Sequence, residues 1–207
     1  MSIKQRSSVR IISGSKRGSK LHFTQTEGLR PSGDRIREML FSWVQQTLDG
    51  SDCLDLFAGS GALGFEAASR GARHVTLMES NPVAVRSLRE NDQRLNFDNT
   101  EIVCADATAP SSYDRLDTDR KQSNGTDIIS IPRRYDLVFI DPPFADNLYQ
   151  RSIDILQNQH LLNAEALVYL ESARDCEDMI VPQAWELHRD KVAGDVRARL
   201  YRVVASD

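Results

Sequence analysis

Three features of the sequence predict an α/β fold, Rossmann-like, with a mostly parallel and doubly wound sheet. From residue 51 onward, short β-prone runs alternate with amphipathic helical segments, and a glycine loop joins the first run to the first helix. Near the C-terminus the alternation gives way to two adjacent β-prone runs with no helix between them. Parallel neighbours need crossover helices, whereas the last pair is close enough in sequence to form a hairpin.

The elements follow in order. Residues 9–12 and 20–23 are short β-prone runs separated by Ser13-Gly14-Ser15-Lys16-Arg17-Gly18-Ser19, which reads as a hairpin with an exposed basic tip. Pro31-Ser32-Gly33-Asp34 reads as a helix start, and Ile36, Met39, Leu40, Trp43, Val44 and Leu48 then recur at helical spacing. Residues 53–57 form the first strand of the main sheet, 62–70 a helix closed by Gly71, and 74–79 the second strand. Asn81-Pro82 opens a helix to about residue 96, with Pro82 suited to its first turn. Strands at 101–106, 135–141 and 167–171 are predicted, with a helix at 148–161. Runs at 185–191 and 196–204 flank Ala193-Gly194-Asp195 as an antiparallel hairpin on the sheet edge, making seven strands in all. Residues 109–134 are polar and aperiodic, and read as a mobile insertion.

At 207 residues the chain suits one full domain, taken as 31–207, with a basic extension at 1–30. No apolar run approaches the roughly 20 residues that span a bilayer, and the N-terminus lacks a secretory signal's apolar core, so a cytoplasmic protein is expected. Cys53, Cys104 and Cys176 are far apart, and His22, His74, His160 and His188 are scattered, so no disulfide or metal framework is expected. The net charge of −4 is unevenly spread. Residues 1–40 carry nine Lys/Arg against three acids, leaving an acidic remainder. A basic arm on an acidic body suits contacts to phosphates.

Asp55-Leu56-Phe57-Ala58-Gly59-Ser60-Gly61-Ala62-Leu63-Gly64 contains G-x-G-x-x-G between strand and helix, a spacing that also fits a dinucleotide. Three points argue for a different ligand. Asp55 places a carboxylate where a pyrophosphate would be repelled and a cationic amino-acid ligand, such as S-adenosylmethionine, would be attracted. The first three strands each end in an acid, Asp55, Glu79 and Asp106, and these converge on the crevice outside the carboxyl ends of the sheet. Glu79, followed by Ser80, is placed to accept ribose hydroxyls, and Asp106, followed by Ala107, to lie near an adenine amino group. The fourth strand runs into Asp141-Pro142-Pro143-Phe144, for which a dehydrogenase has no use.

That tetrapeptide suits the activation of an aryl-type amino group. The nitrogen's lone pair is delocalised into the ring. Accepting its two hydrogens at the Asp141 carboxylate and the Pro142 carbonyl favours pyramidalisation and frees the pair for attack. Two prolines stiffen the loop, and Phe144 offers a face for an extruded base.

Asp-Pro-Pro-Phe resembles the (Asp/Asn)-Pro-Pro-(Tyr/Phe) signature of amino-group methyltransferases that act on adenine N6, guanine N2 and glutamine. The chain also carries Val9-Arg10-Ile11-Ile12-Ser13-Gly14, Arg17-Gly18 and Arg30-Pro31-Ser32-Gly33-Asp34-Arg35-Ile36-Arg37-Glu38-Met39-Leu40-Phe41. With these it resembles, from about residue 9 to 204, the bacterial 16S rRNA guanine-N2 methyltransferases of the RsmD type. The resemblance implies a class I methyltransferase fold and S-adenosylmethionine as cofactor, released as S-adenosylhomocysteine. Asp55, Phe57, Ala58, Gly59, Ser60, Gly61, Glu79, Ser80, Asp106 and Ala107 would bind it, and Asp141 through Phe144 would act on guanine. The implied partner is 16S rRNA of the small ribosomal subunit, met by a monomer through Arg10, Lys16, Arg17, Arg30, Arg35 and Arg37. The tetrapeptide itself does not choose between guanine and adenine. Ser13 stands where a second glycine is usual, and the 109–134 segment is longer than expected.

Overall fold

The computed structural model describes residues 6–24, 33–113, 120–121, 128–129, 134–143, 148–176 and 179–204. An N-terminal hairpin pairs β1 (Arg6–Arg10) with β2 (Lys20–Thr24). Helices α1 (Asp34–Trp43) and α2 (Gln45–Leu48) follow, then β3 (Asp52–Asp55), α3 (Gly64–Ser69), β4 (His74–Glu79), α4 (Pro82–Leu95) and β5 (Thr100–Cys104). After the two-residue strands β6 (Arg120–Lys121) and β7 (Ile128–Ile129) come β8 (Tyr135–Ile140), α5 (Tyr149–Asn158), β9 (Leu162–Ala173), β10 (Trp185–Ala193) and β11 (Val196–Val203).

The main sheet has seven strands in the order β10-β11-β9-β8-β3-β4-β5. β3, β4, β5, β8 and β9 run parallel, and β11 and β10 are added antiparallel at the β9 edge, as the sequence predicts. The two faces of the sheet read directly off the strand residues. Cys53, Val75, Leu77, Leu137, Phe139, Leu167 and Tyr169 belong to one core, which holds Leu40, Phe41, Leu48, Phe65, Ala68 and Leu88 of α1–α4. Leu54, Met78, Val138, Ile140, Val168 and Leu170 belong to the other, with Ile153 and Leu156 of α5. Strands covered on both faces must be apolar at successive positions, which is why 137–140 and 167–170 read as continuous apolar runs.

The hairpin expected to carry an exposed basic tip is packed onto the domain. Val9, Ile11, Leu21 and Phe23 are buried in the α1–α4 core. Its tip is docked on the C-terminal end of α3. The Ser15 N–H donates to the Ser69 carbonyl at 2.7 Å, the Lys16 N–H to Ser69 Oγ at 2.9 Å, and Ser69 Oγ to the Ser13 carbonyl at 2.6 Å. Gly14 has φ of +82°, and a Cβ there would stand 1.8 Å from the Ser69 carbonyl oxygen. Only glycine permits both the turn and the approach. The tip is exposed at Gly14, Ser15, Arg17 and Gly18, as expected, but its backbone is held by α3.

The 109–134 stretch is also less featureless than its composition suggests. Residues 110–112 form a 3₁₀ turn, and Tyr113 is buried in the second core, its hydroxyl donating to the Ala107 carbonyl at 2.7 Å. β6 and β7 pair antiparallel. Polarity hid one aromatic anchor, because a single buried Tyr creates no periodicity. β9 is longer than expected: its first residues, beside exposed Glu165 at φ of +63°, lack the apolar signal that marks 167–170.

Candidate active site

The parallel strands end at one edge of the sheet, and a cavity of about 800 Å³ opens there. That is ample for a small-molecule ligand. Its wall includes Asp55 and residues 56–60 of the β3–α3 loop, Glu79 and Ser80 at the end of β4, Ala105 to Ala107 after β5, and Asp141 to Pro143 after β8. Residues remote in sequence meet here because each stands where a strand gives way to its crossover.

Neighbouring strands brace the loop. The Leu56 N–H donates to the Phe139 carbonyl of β8 at 3.1 Å, and the Ala58 N–H to the Met78 carbonyl of β4 at 2.9 Å. Gly59 donates its N–H to Glu79 Oε2 at 2.9 Å, and Asn81 donates to Glu79 Oε1 at 2.7 Å. Glu79 thus ties the loop to the start of α4. Each of its oxygens keeps acceptor capacity for a ligand's hydroxyls. Of the cofactor-loop residues named from sequence, Gly61 alone is not on the cavity wall. It shapes the turn instead: φ is +79°, and a Cβ would stand 2.4 Å from the Phe65 ring.

Asp55 is 1% exposed. Its Oδ2 accepts the Gly64 N–H at 2.9 Å, but its Oδ1 is buried with no hydrogen-bond partner. Desolvation pushes its pKa up from 3.8 to about 7; the Gly64 amide opposes this, the Glu79 charge adds to it, and the Phe57 amide opposes weakly. Capping α3 therefore uses one oxygen and leaves a second, desolvated acceptor at the cavity. An ammonium group is the ligand that would satisfy it best. The set of acceptors is one that S-adenosylmethionine would suit, with Asp55 facing the amino-acid end, Glu79 the ribose, and Asp106 and Ala107 the base. Asp106 is exposed and accepts the N–H and hydroxyl of Thr108 at 2.8 Å each, which orients its carboxylate at the rim.

Asp141 is half-buried and Pro142 buried, both on the wall shared with the cofactor-side acids; Phe144 lies outside the described residues. The wall also carries residues that the sequence reading did not single out, among them Glu171 at the end of β9, Asp195 in the β10–β11 turn, and Gly33 and Ile36 at the start of α1. The signal for Glu171 was present, since it follows an apolar strand just as Asp55 and Asp141 do.

The basic residues divide. Arg10, Arg17 and Arg35 are exposed, and Lys16 is half-buried with its ammonium 5.8 Å from the Phe97 ring centre. Arg30 lies outside the described residues. Arg37 is 0% exposed and has no surface to offer a phosphate. Its guanidinium donates to Asp34 at 2.7 Å and to the Arg10 carbonyl at 3.0 Å, and stands 3.8 Å from Glu66. Glu66, also fully buried, accepts the N–H groups of Ile12 (2.6 Å) and Ser13 (2.9 Å) and the Arg70 Nε–H (2.6 Å). Arg37 and Glu66 are thus the buried anchor of the hairpin. An acid within the otherwise apolar and small Leu-Gly-Phe-Glu-Ala-Ala run was its one sequence signal.

Fold and cavity together define a class I S-adenosylmethionine-dependent methyltransferase. A family model described as Conserved hypothetical protein 95 matches residues 9–202, and the chain belongs to that family, the RsmD family. It is 40% identical over 194 residues to the Ribosomal RNA small subunit methyltransferase D of Haemophilus influenzae, covering 94% of this chain and 93% of that one. The protein of the same name from Escherichia coli K12 is 39% identical over 194 residues, covering 94% and 89%. The solved structure of the Escherichia coli protein yhhF matches with a TM-score of 0.79 and 36% identity, covering 97% of this chain and all of that chain. A more distant structure, the Thermus thermophilus 16S rRNA N2 G1207 methyltransferase in complex with AdoMet and guanosine, shares the fold at a TM-score of 0.63 and 18% identity, covering 96% of this chain and 50% of that one.

Proposed function

We propose that this protein methylates the exocyclic N2 amino group of a guanine in 16S rRNA of the small ribosomal subunit. The observation that carries the reading is the placement of Asp141 and Pro142 on the wall of the cavity that holds Asp55, Glu79 and Asp106. The relatives named Ribosomal RNA small subunit methyltransferase D, together with the N-terminal motifs, support rRNA as the acceptor.

When bound, S-adenosylmethionine would supply an electrophilic methyl group, with S-adenosylhomocysteine as the product. The chain's own residues prepare the nucleophile. The Asp141 carboxylate and the Pro142 carbonyl accept the two amino hydrogens, which draws the nitrogen toward pyramidal geometry, and Asp141 can take the proton that the product nitrogen sheds. Neither proline has an N–H, so the loop offers acceptors there and no competing donors. Phe144 is the residue on which an extruded base would stack. Arg10, Lys16, Arg17, Arg30 and Arg35 are the candidates for phosphate contact. The hairpin tip sits at the end of α3 away from the cavity, roughly 8 Å along that helix, so Lys16 and Arg17 would meet flanking nucleotides and not the target. The chain works in the cytoplasm as a monomer in this reading.

The test is transfer of labelled methyl from S-adenosylmethionine to small subunits lacking the modification, followed by nucleoside analysis. Label in N2-methylguanosine is the expected result. Label in N6-methyladenosine would overturn the choice of base, and no label on subunits or free RNA would overturn the enzymatic reading.

A further inference from the structure

We propose that Glu171 reads the base, its carboxylate accepting the N1–H of guanine beside the amino group and so admitting guanine where adenine is refused. This rests on the reading that the acceptor is the amino group of a base held at Asp141 and Pro142.

The placement comes from the sheet. Leu170 of β9 pairs with Ile140 of β8, so the next residues, Glu171 and Asp141, stand side by side at the C-terminal edge, about 5 Å apart as neighbouring strands are. Both line the cavity, and Glu171 is only 3% exposed. Its carboxylate is held in place, because the Tyr169 hydroxyl donates to Oε2 at 2.8 Å. Arg199 of β11, paired with Leu170 and also 3% exposed, brings positive charge to the same cluster, its Nη2 donating to Ser172 Oγ at 3.1 Å. The buried Tyr149 hydroxyl senses all of them: desolvation raises its pKa most, Cys176, Asp141 and Glu171 raise it further, and Arg199 lowers it.

The chemistry supplies what the tetrapeptide lacks. Asp141 and Pro142 accept amino hydrogens, and guanine, adenine and cytosine all offer those. The ring atoms beside the amino-bearing carbon differ. In guanine one of them is N1–H, a donor, and the other is N3 with a lone pair. In adenine the neighbour of the N6 carbon is N1 with a lone pair, and in cytosine it is N3 with a lone pair. An ionised carboxylate only accepts. Guanine therefore satisfies a second acid beside Asp141, whereas adenine sets two lone pairs against each other and leaves a buried charge without that hydrogen bond. Selection falls on the atom that distinguishes the bases.

The experiment compares guanine with 2,6-diaminopurine at the target position of a small-subunit RNA fragment. Diaminopurine keeps the 2-amino group but presents a lone pair at N1. The wild-type enzyme should lose on the order of 10²-fold or more in kcat/KM on the analogue. Glu171→Gln, whose amide can donate, should lose activity on guanine and narrow the gap between the two bases by at least tenfold. Its cofactor affinity, measured by calorimetry, should match wild type, which also shows that the variant folds. Equal wild-type rates on the two bases, or a Glu171→Gln loss that is the same for both, overturns the proposal. Failure of wild type to methylate the guanine substrate at all would instead sink the proposed function, so the two failures are distinct.

Discussion

Replacing Asp55 by asparagine should stabilise the protein and disable it. Raising the acid's pKa from 3.8 to about 7 costs its ionised form on the order of 4 kcal/mol relative to the unfolded chain. The sign follows from the proton balance. Between pH 3.8 and 7 the folded chain keeps a proton that the unfolded chain releases, so the stability this group contributes is full at low pH and is lost as pH rises through about 7. In the Asp55→Asn variant the side-chain amide oxygen can still accept the Gly64 N–H, while the amide NH₂ takes the buried place of Oδ1 without a partner, costing about 1–3 kcal/mol. The net gain above pH 8 is then about 1–3 kcal/mol, or roughly 2–10 °C in Tm for a domain of this size. At pH 5 folded Asp55 is neutral and the unfolded chain is ionised, which has removed about 1.6 kcal/mol of the contribution; this roughly offsets the orphan amide, so the two proteins should melt within about 5 °C of each other. S-adenosylmethionine should raise the wild-type Tm at pH 8 by mass action and leave the variant's unmoved. Thermal melts at pH 5 and 8.5, with and without cofactor, check all of this. A variant that melts lower by the same amount at both pH values, or that still gains from the cofactor, would refute the account of Asp55 as a desolvated acid kept for a cation.

Other outcomes follow from the same geometry. Asp141→Ala should lower methyl transfer by at least about 10³-fold with cofactor affinity unchanged in a calorimetric titration; undiminished turnover would remove Asp141 from the mechanism. Glu66→Ala removes the buried acid shared by Arg37 and Arg70, leaving Asp34 as the acid bonded to Arg37 and two hairpin amides without an acceptor, so denaturant unfolding should show a loss of about 3–5 kcal/mol. Arg17→Ala should reduce the salt dependence of RNA binding by about 0.7 in log–log slope without moving Tm, whereas Arg37→Ala should lower Tm; the reverse pattern would exchange their roles.

The fold was legible because its strands obey one rule each. Buried parallel strands have to be apolar on both faces, and the chain marks this most plainly at 137–140 and 167–170. The acids that end them were legible for the same reason: an isolated carboxylate after an apolar run stands out. What stayed hidden was pairing at a distance. Arg37 sits in a basic stretch and reads as one more surface cation until Glu66, 29 residues later, is seen beneath it. The docking of the hairpin tip on Ser69 leaves only glycine and serine in the sequence, residues that equally mark a free turn. Tyr113 was masked by its polar neighbours. Local pattern encodes which face a residue takes, but not which remote backbone will satisfy it.

The edge of the sheet concentrates negative charge that folding alone would not choose. Asp55, Glu79, Asp106, Asp141 and Glu171 all line one cavity, and the effect is visible at Asp55, whose pKa is raised first by burial and further by Glu79. In the proposed reading each acid would meet a donor: an ammonium, ribose hydroxyls, the cofactor's amino group, and the amino and N1 hydrogens of guanine. A site made almost wholly of acceptors repels itself, and ligands rich in N–H and O–H relieve that repulsion. The nucleic acid that brings one such ligand is itself an anion, and this edge would repel its phosphates. The exposed cations Arg10, Arg17 and Arg35 lie on elements the acids do not share, and in the proposed function they would separate the two tasks in space: one surface would draw the backbone, and the cavity would accept only the base. Neutralising these cations should therefore weaken RNA binding while leaving the affinity for S-adenosylmethionine untouched, and a parallel loss of both would show that arm and cavity are not separable.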